Sequence, residues 1–454
     1  MNSTMLSSGR RTCLRPVRAD VKWTSPAVCH EPFTGSSDRQ IACPAGSITR
    51  RRFLGGTLLA TAAVSAPAVL RGFAAEEPRP APEEFKRKLK LGLIGCGTRG
   101  KWIGHLFARH GGYQLHAVAD YFADVAEQAG AELGVDASRR FATLSGYQRV
   151  LESGVDAVAL EVPPYFFPGM AQAAVAAGRH VYMAKPVAVD VPGALQIGAA
   201  ARAATDKQRV FFVDYQMPTD PVNLEILRRV RDPQSGFGKI VRVSTSGSFG
   251  HFPDPPKTAN LESRLQKLIW VNDIALGCDY LGNYDIHAID AALWALGERP
   301  IAALGASRIC RVNPHGDSHD ICLLTYEYAS GVVHDHQGNA LKNFLSNDLA
   351  CRLHGPTGNA LLNYWNTASF RSGDDSYSGE VQNLYEAGVV RNIAAFYRKV
   401  TGGDFANDNV PRAVDGALTC VLGRLAGERR QRVTLEQMLR ENTRLEVDLT
   451  GLKT

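Results

Sequence analysis

The chain has 454 residues, enough for two domains, and 45% of them are hydrophobic, enough for sizeable buried cores. Its formal net charge of +6 invites a nucleic-acid partner. However, ten Lys and Arg against three Asp and Glu place +7 within residues 1–74 and leave −1 for the rest, so no basic stripe remains in the body and nucleic acid is excluded as a partner.

The basic leader has its own explanation. Thr49-Arg50-Arg51-Arg52-Phe53-Leu54 resembles a twin-arginine export motif. An uncharged stretch follows from Phe53 to Leu70, diluted by Gly, Ala, Ser and Thr and, at 18 residues, short for a membrane span. Gly72-Phe73-Ala74 then offers small residues for cleavage. The expectation is a leader over residues 1–74, engagement of twin-arginine export machinery and a periplasmic product, with an uncleaved membrane anchor as the alternative. Residues 75–87, AEEPRPAPEEFKR, read as a Pro- and Glu-rich linker. Six of the nine cysteines lie beyond the leader, scattered and without a CxxC pair, so neither a disulfide framework nor a zinc motif is expected.

From Leu89 the chain alternates strand-like and helix-like runs. Strands are expected at Leu89–Ile94, Leu115–Ala119, Ala157–Glu161, His180–Met183 and Val210–Val213. Helices are expected at Lys101–His110, Phe122–Leu133, Pro168–Ala177 and Val191–Ala204. This alternation predicts a doubly wound parallel sheet over residues 88–216.

The first strand runs into a glycine turn, LKLGLIGCGTRG, over Leu89 to Gly100, and Asp120 closes the next apolar run. Each part has a task in holding a dinucleotide. Gly95 turns the chain out of the strand, Gly97 lets the backbone approach a pyrophosphate, and Gly100 lets the helix pack on the sheet. The turn Gly95-Cys96-Gly97-Thr98-Arg99-Gly100 ends on a helix N-terminus whose free N–H groups suit phosphate. Asp120 suits a ribose 2′-hydroxyl and would repel a 2′-phosphate, so NAD is expected rather than NADP. Folding before export gives a reason for a tightly held cofactor, because it must be acquired in the cytoplasm.

After residue 216 the pattern changes. Ile240–Ser246, Ile301–Ser307, Ile321–Tyr328 and Val332–Gln337 alternate apolar and polar residues, and Ala329-Ser330-Gly331 predicts a hairpin turn. With one clear helix at Asp285–Leu296, residues 217–454 read as an α+β substrate and oligomerisation domain with an open, mainly antiparallel sheet. Such a sheet needs a cover on its second face, which predicts a homo-oligomer.

Two sites carry chemistry. Lys185, in Val181-Tyr182-Met183-Ala184-Lys185-Pro186, lies just past a buried strand, where ligands bind in open α/β sheets. A lysine there can polarise a reacting oxygen; a solvated lysine before a proline turn is the alternative. In Asn283-Tyr284-Asp285-Ile286-His287-Ala288-Ile289-Asp290, helical spacing would put Asn283, His287 and Asp290 on one face, with His287 moving a proton and Asp290 orienting it. The alternative is a packed histidine near a helix start. His315, Asp317, His319, Asp320, His334 and His336 match no defined ligand motif; no metal is expected, and some of them are expected to line the substrate face of the sheet.

The order of GCGTRG, Asp120, VPP at 162–164, AKP at 184–186, Tyr215-Gln216 and the His287/Asp290 helix resembles the glucose–fructose oxidoreductase / inositol dehydrogenase (Gfo/Idh/MocA) family. The resemblance spans about residues 88 to 454 and includes the closing Val433–Leu439. It implies a Rossmann domain joined to an open-sheet domain and NAD(P)-dependent oxidation or reduction of sugars, inositols and related polyols. It also implies catalytic roles for Lys185 and His287 and a nicotinamide near Pro163, Pro164 and Lys185. Tyr215, Asn283, Asp285 and Asp290 become substrate-binding candidates. Three positions depart from the family pattern: Ala184 replaces the usual Glu, Asn283 a frequent Asp, and Phe167 a frequent His. The expectation is therefore an exported NAD(P)-dependent oxidoreductase acting on a carbohydrate secondary alcohol. The alternatives are a glycosidase working by transient oxidation with no net redox, and a non-catalytic carbohydrate-binding relative.

Overall fold

The structure, a computed structural model, describes residues 85–343 and 345–454. The twin-arginine motif, its apolar stretch and the cleavage point lie outside the described residues. Among the described residues no helix is long and apolar enough to cross a membrane.

Six parallel strands are β1 (Leu89–Ile94), β2 (Tyr113–Asp120), β3 (Arg140–Ala142), β4 (Ala157–Leu160), β5 (His180–Ala184) and β6 (Phe211–Asp214). Helices α1 (Thr98–His110), α2 (Ala123–Glu132), α3 (Gly146–Glu152), α4 (Phe167–Ala176) and α5 (Val191–Asp206) connect them. The order β3-β2-β1-β4-β5-β6 reverses between β1 and β4, which opens a crevice at the strand ends. The central strands are apolar throughout because helices cover both faces: every residue of β4 is fully buried. Helix α5 opens on capping chemistry, where the Asp190 carboxylate accepts from the Gly193 N–H at 2.8 Å.

The second part begins with α6 (Pro221–Arg231) and β7 (Arg242–Ser248), then α7 (Ile274–Gly277) and α8 (Ile286–Leu296). Strands β8 (Ala302–Arg308), β9 (Ile321–Glu327), β10 (Val333–Asn339), β11 (Asp348–His354), β12 (Gly358–Asn363), β13 (Asn366–Ser372) and β14 (Asp375–Val381) follow. The described chain ends with α9 (Leu384–Gly402), α10 (Val410–Arg429), β15 (Val433–Thr434) and α11 (Leu435–Glu441). The nine strands lie in the order β14-β13-β12-β11-β7-β10-β9-β8-β15, and every neighbouring pair is antiparallel except β7 with β10. Helices α8 and α10 cover one face. On the other, Leu304, Leu323 and Val333 are 46%, 59% and 54% exposed, interleaved with Thr325, Asp335 and Gln337, so these apolar side chains have no cover within the described chain. Helix α9 returns to the parallel sheet: Val389, Ile393 and Phe396 share one core with Leu93, Phe107 and Tyr182.

The segment between β7 and α8 is held by a buried charge network. Asp254 pairs with Arg264 at 2.8 Å and with Arg311 at 2.9 Å, and accepts from the His315 and Gly316 N–H groups. Against the upward push of burial, these N–H groups and guanidiniums hold its carboxyl down to about 2. A depressed value means stability that is present above the unfolded carboxylate value of roughly 3.9 and is lost as pH falls toward 2. Asp254→Asn leaves two buried guanidiniums short of a partner and is expected to cost about 3 kcal/mol at pH 7. Urea unfolding of both proteins checks this, and the gap between them should narrow from pH 4 downward.

Candidate active site

The β1–α1 turn shows why each glycine stands where it does. Gly95 has φ +90°, and a Cβ there would meet the Glu161 carbonyl oxygen at 2.4 Å. A Cβ on Gly100 would lie 1.9 Å from the Gly95 carbonyl oxygen, so the helix packs directly on the turn. Around a Cβ on Gly97 there is nothing within 4 Å. The middle glycine thus faces open space, at a helix start with no side-chain cap and no acidic residue in its first turn. Those free N–H groups and that clearance fit a dinucleotide pyrophosphate. Thr98 begins α1. Asp120, at the end of β2, accepts from the Cys96 N–H at 2.7 Å and the Phe122 N–H at 3.0 Å, which fixes its carboxylate beside the turn. Burial pushes its carboxyl up, against these two N–H bonds. Val162, Pro163 and Pro164 follow the end of β4 beside Gly95, whose Cβ would touch Val162 Cγ1 at 3.0 Å.

Above the ends of β4, β5 and β6 lies a cluster of charges. Arg99 Nη2 pairs with Asp214 Oδ2 at 2.8 Å, and Arg99 Nε with Glu161 Oε2 at 3.2 Å. Tyr385 Oη accepts from Arg99 Nη1 at 2.9 Å, and Trp102 stacks on Tyr385 with centroids 4.8 Å apart. Asp214 is saturated, since Gln216 Nε2 and Asn392 Nδ2 also donate to it, at 2.8 and 2.7 Å.

Lys185 follows β5 and donates from Nζ to the Asn283 carbonyl oxygen. That carbonyl is available because Leu281–Asp285 forms a π-helical turn before α8. The turn corrects the expected regular helix, and it is the backbone carbonyl of Asn283 that meets Lys185. Burial, then the nearby Arg99 guanidinium, lowers the Lys185 ammonium to about 7 against the pull of Asp214, Cys420 and Glu161. His287 is 7% exposed and held well below its ordinary value by burial and by the Lys185 and Arg99 charges. Its Nδ1 has no partner. Its ring meets Tyr215 edge-on at 6.1 Å and Tyr364 at 5.1 Å. Tyr215 is 3% exposed, with an unpartnered hydroxyl.

Two acidic candidates go elsewhere. Asp290 is fully buried and pairs with Arg412 Nε at 2.8 Å, which corrects the expectation that it orients His287; the partner arrives from α10, 122 residues on. Asp285 is 4% exposed and meets His336 Nε2 at 3.1 Å. His336 and His334 both bond Thr245 Oγ1, at 2.9 and 2.7 Å, and His334 Nδ1 meets the Tyr328 hydroxyl at 3.1 Å. These two histidines therefore form a buried chain beneath the helices, and the expectation that they line a substrate face is corrected for both. His319 meets Ser307 Oγ at 2.6 Å. Potential ligand atoms of Asp285, Cys322 and His336 lie within 4.8 Å of one another, a grouping the sequence spacing did not show.

Sequence reasoning missed Glu161 and Asp214. Their signal was present: each is an acid at the end of a buried run, AVALE and FFVD, where a parallel strand delivers its last residue to the crevice.

Residues 89–215, which span the whole parallel sheet, match GFO_IDH_MocA, described as an oxidoreductase family with an NAD-binding Rossmann fold. The chain is 25% identical over 302 residues to a levoglucosan dehydrogenase of Pseudarthrobacter phenanthrenivorans, covering 61% of this chain and 74% of that protein. It is 28% identical over 249 residues to an inositol 2-dehydrogenase of Burkholderia lata, covering 54% and 65%. Among solved structures, a levoglucosan dehydrogenase in complex with NADH and levoglucosan superposes with a TM-score of 0.64 at 18% identity, over 77% of this chain and all of that one. An aldose–aldose oxidoreductase from Caulobacter crescentus gives a TM-score of 0.63 at 19% identity, with the same coverage. The structural likenesses establish the fold of both sheets.

Gly97 and Gly100 separate cofactor binding from folding. Gly97→Ala meets no protein atom and should keep the melting temperature within about 2 °C, while weakening NADH binding at least ~10-fold by crowding the pyrophosphate. Gly100→Ala should destabilise the fold itself by about 2 kcal/mol or more through overpacking. Thermal melts and NADH fluorescence titration check both.

Proposed function

We propose that this chain, whose residues 89–215 form the NAD-binding Rossmann domain of an oxidoreductase family, transfers hydride to or from a secondary alcohol of a sugar, inositol or related polyol. The observation that carries the reading is the bond from Lys185 Nζ to the Asn283 carbonyl. It ties the lysine at the end of the cofactor-binding sheet to the turn that leads into His287. The names of the relatives, a levoglucosan dehydrogenase and inositol 2-dehydrogenases, support the substrate class.

NAD, held by the Gly95–Gly100 turn and Asp120, would supply the hydride acceptor for oxidation of the alcohol to a ketone. The residues of this chain handle the proton. With its ammonium lowered to about 7, Lys185 is divided between amine and ammonium at neutral pH and takes the hydroxyl proton at Nζ. His287, held neutral, hydrogen-bonds the same oxygen. This assigns the proton to Lys185 and the orienting role to His287, the reverse of the division expected from the ordinary values of the two side chains. Tyr215, Asn283 and Asp285 surround this site; Asp285 acts through its buried bond to His336. Asp120 favours NAD over NADP.

The proposal includes export through the twin-arginine pathway and a periplasmic location, which rest on the leader sequence alone, and a cofactor retained through turnover. It includes a homo-oligomer assembled on the open sheet face that exposes Leu304, Leu323 and Val333. Denaturing the purified protein and identifying any released nucleotide tests cofactor retention.

A pH profile tests the chemistry. Below about 7 Lys185 is ammonium and cannot accept a proton; above it the amine can. Alcohol oxidation, as kcat/KM, should therefore rise through pH 7 to a plateau, and ketone reduction should fall over the same interval. Lys185→Met should lower kcat by roughly 10²–10⁴-fold and flatten both limbs. If purified wild-type protein neither binds NAD nor converts any polyol to a ketone, the proposal fails.

A further inference from the structure

Ala184 leaves a gap in a family pattern that usually has a carboxylate before the lysine, and the sheet register shows where negative charge stands instead. Leu160 pairs with Met183 in the β4–β5 ladder, so Glu161 follows alongside Ala184. Ala184 itself pairs with Asp214 of β6. Paired residues of a parallel sheet point to the same face. Two carboxylates therefore flank the alanine, one on each neighbouring strand, and Arg99 spans from one to the other.

The two carboxylates are not equivalent. Asp214 spends both oxygens on Arg99, Gln216 and Asn392. Glu161 gives only Oε2 to Arg99, while its Oε1 is buried with no partner. Its side chain is 1% exposed, so an ordinary solvated surface acid is ruled out. Burial pushes its carboxyl up to about 7, against Arg99 and Lys185, which pull it down. A buried acceptor with a free oxygen is costly unless a partner uses it.

We infer that Glu161 is a positioning residue that supplies, from the neighbouring strand, a carboxylate beside Ala184, and that together with Asp214 it supports the charge of Lys185. The inference rests on the function proposed above for its catalytic consequence, but not for its measurement. The groups that face Lys185 are Arg99 on α1, Glu161 after β4, Asp214 on β6, Cys420 on α10, His287 on α8 and Asp285 in the π turn. Those facing Glu161 are Arg99, Asp214, Lys185 and the buried Tyr182 hydroxyl. Among these carboxyl groups, Glu161 alone has a fully buried oxygen without a partner.

The test reads Lys185 directly. Competitive acylation with acetic anhydride across pH, quantified at Lys185 by mass spectrometry, reports where the ammonium loses its proton in the full-length protein, with no substrate required. Glu161→Gln keeps shape and removes charge, so the midpoint should fall by at least about 0.5 pH unit. In the E161Q/A184E protein, which returns the carboxylate to the lysine's own strand, the midpoint should recover at least half of that fall. A midpoint unchanged in E161Q, or an E161Q/A184E protein that matches E161Q, overturns the inference and leaves Glu161 a counter-ion of Arg99. In kinetics, E161Q should shift the pH–kcat limb in the same direction with little change in KM. If the labelling behaves as expected while wild type oxidises no alcohol, the functional proposal fails and the assignment of Glu161 stands.

Discussion

The ion cluster of Arg99, Glu161 and Asp214 is the interaction on which the site depends. It is assembled from residues 115 positions apart, and each comes from the crevice end of a different element. Its two carboxylates are almost fully shielded from water, so neither can be left without a partner at little cost. Burial pulls the guanidinium of Arg99 down, yet Glu161, Tyr385 and Asp214 keep it above its ordinary value. Arg99 sits in the first turn of α1, directly before the Gly100 that rests on the Gly95 carbonyl. The same short segment thus shapes the phosphate turn with its backbone and clamps the strand ends with a side chain. Helix α9 supports the clamp through Tyr385 and Asn392, which explains why a C-terminal helix returns to the parallel sheet.

Much of the parallel sheet was legible in the sequence because buried parallel strands are short apolar runs between glycine turns. Leu89–Ile94 has the bounds expected of it, β4 and β5 differ from expectation by a residue at one end, and β6 is shifted by one residue at both. Strand β3 and helix α3 escaped notice: Arg140-Phe141-Ala142 has one apolar centre, and Gly146–Glu152 is two turns long. The antiparallel sheet was half legible. Strands β7 to β10 alternate clearly, and Ala329-Ser330-Gly331 joins β9 and β10 as the pattern implied. Strands β12 to β14 were hidden because Asn, Thr, Ser and Gly make up about half of each, as in GNALLN, NTASFRS and DSYSGEV, and β11, DLACRLH, because adjacent apolar residues break its alternation. Their order depends on partners: β7 lies between β10 and β11, nearly a hundred residues downstream.

At the candidate site, backbone tasks were legible and side-chain partnerships were not. Gly95 turns the chain and Gly100 packs on that turn as their spacing indicates, and Gly97 faces open space, because a turn is local. Asp290 could not be assigned from its helix, since Arg412 comes from α10. Asp285 was even less accessible. It reaches His336 only because Gly247 and Gly338 leave room on adjacent strands, where a Cβ would lie 1.9 and 2.4 Å from its carboxylate oxygens. Two glycines 91 residues apart in sequence, side by side in the sheet, carry no signal until β7 and β10 are known to pair.

The same logic turns the departure at position 184 from a loss into an exchange. The cluster holds two cations, Arg99 and Lys185, and two carboxylates, Glu161 and Asp214. A Glu at 184 would place a third carboxylate between the other two, in register with both strand ends. Three like charges on adjacent strands in a dry crevice would force at least one to take up a proton. With Glu161 present, a small residue at 184 is what the balance of charge requires. Arg99 can then lie across the alanine and bind on both sides. The alanine next to Lys185 is therefore consistent with a lysine poised near neutrality, and its meaning emerges only when it is taken together with the acid one strand away.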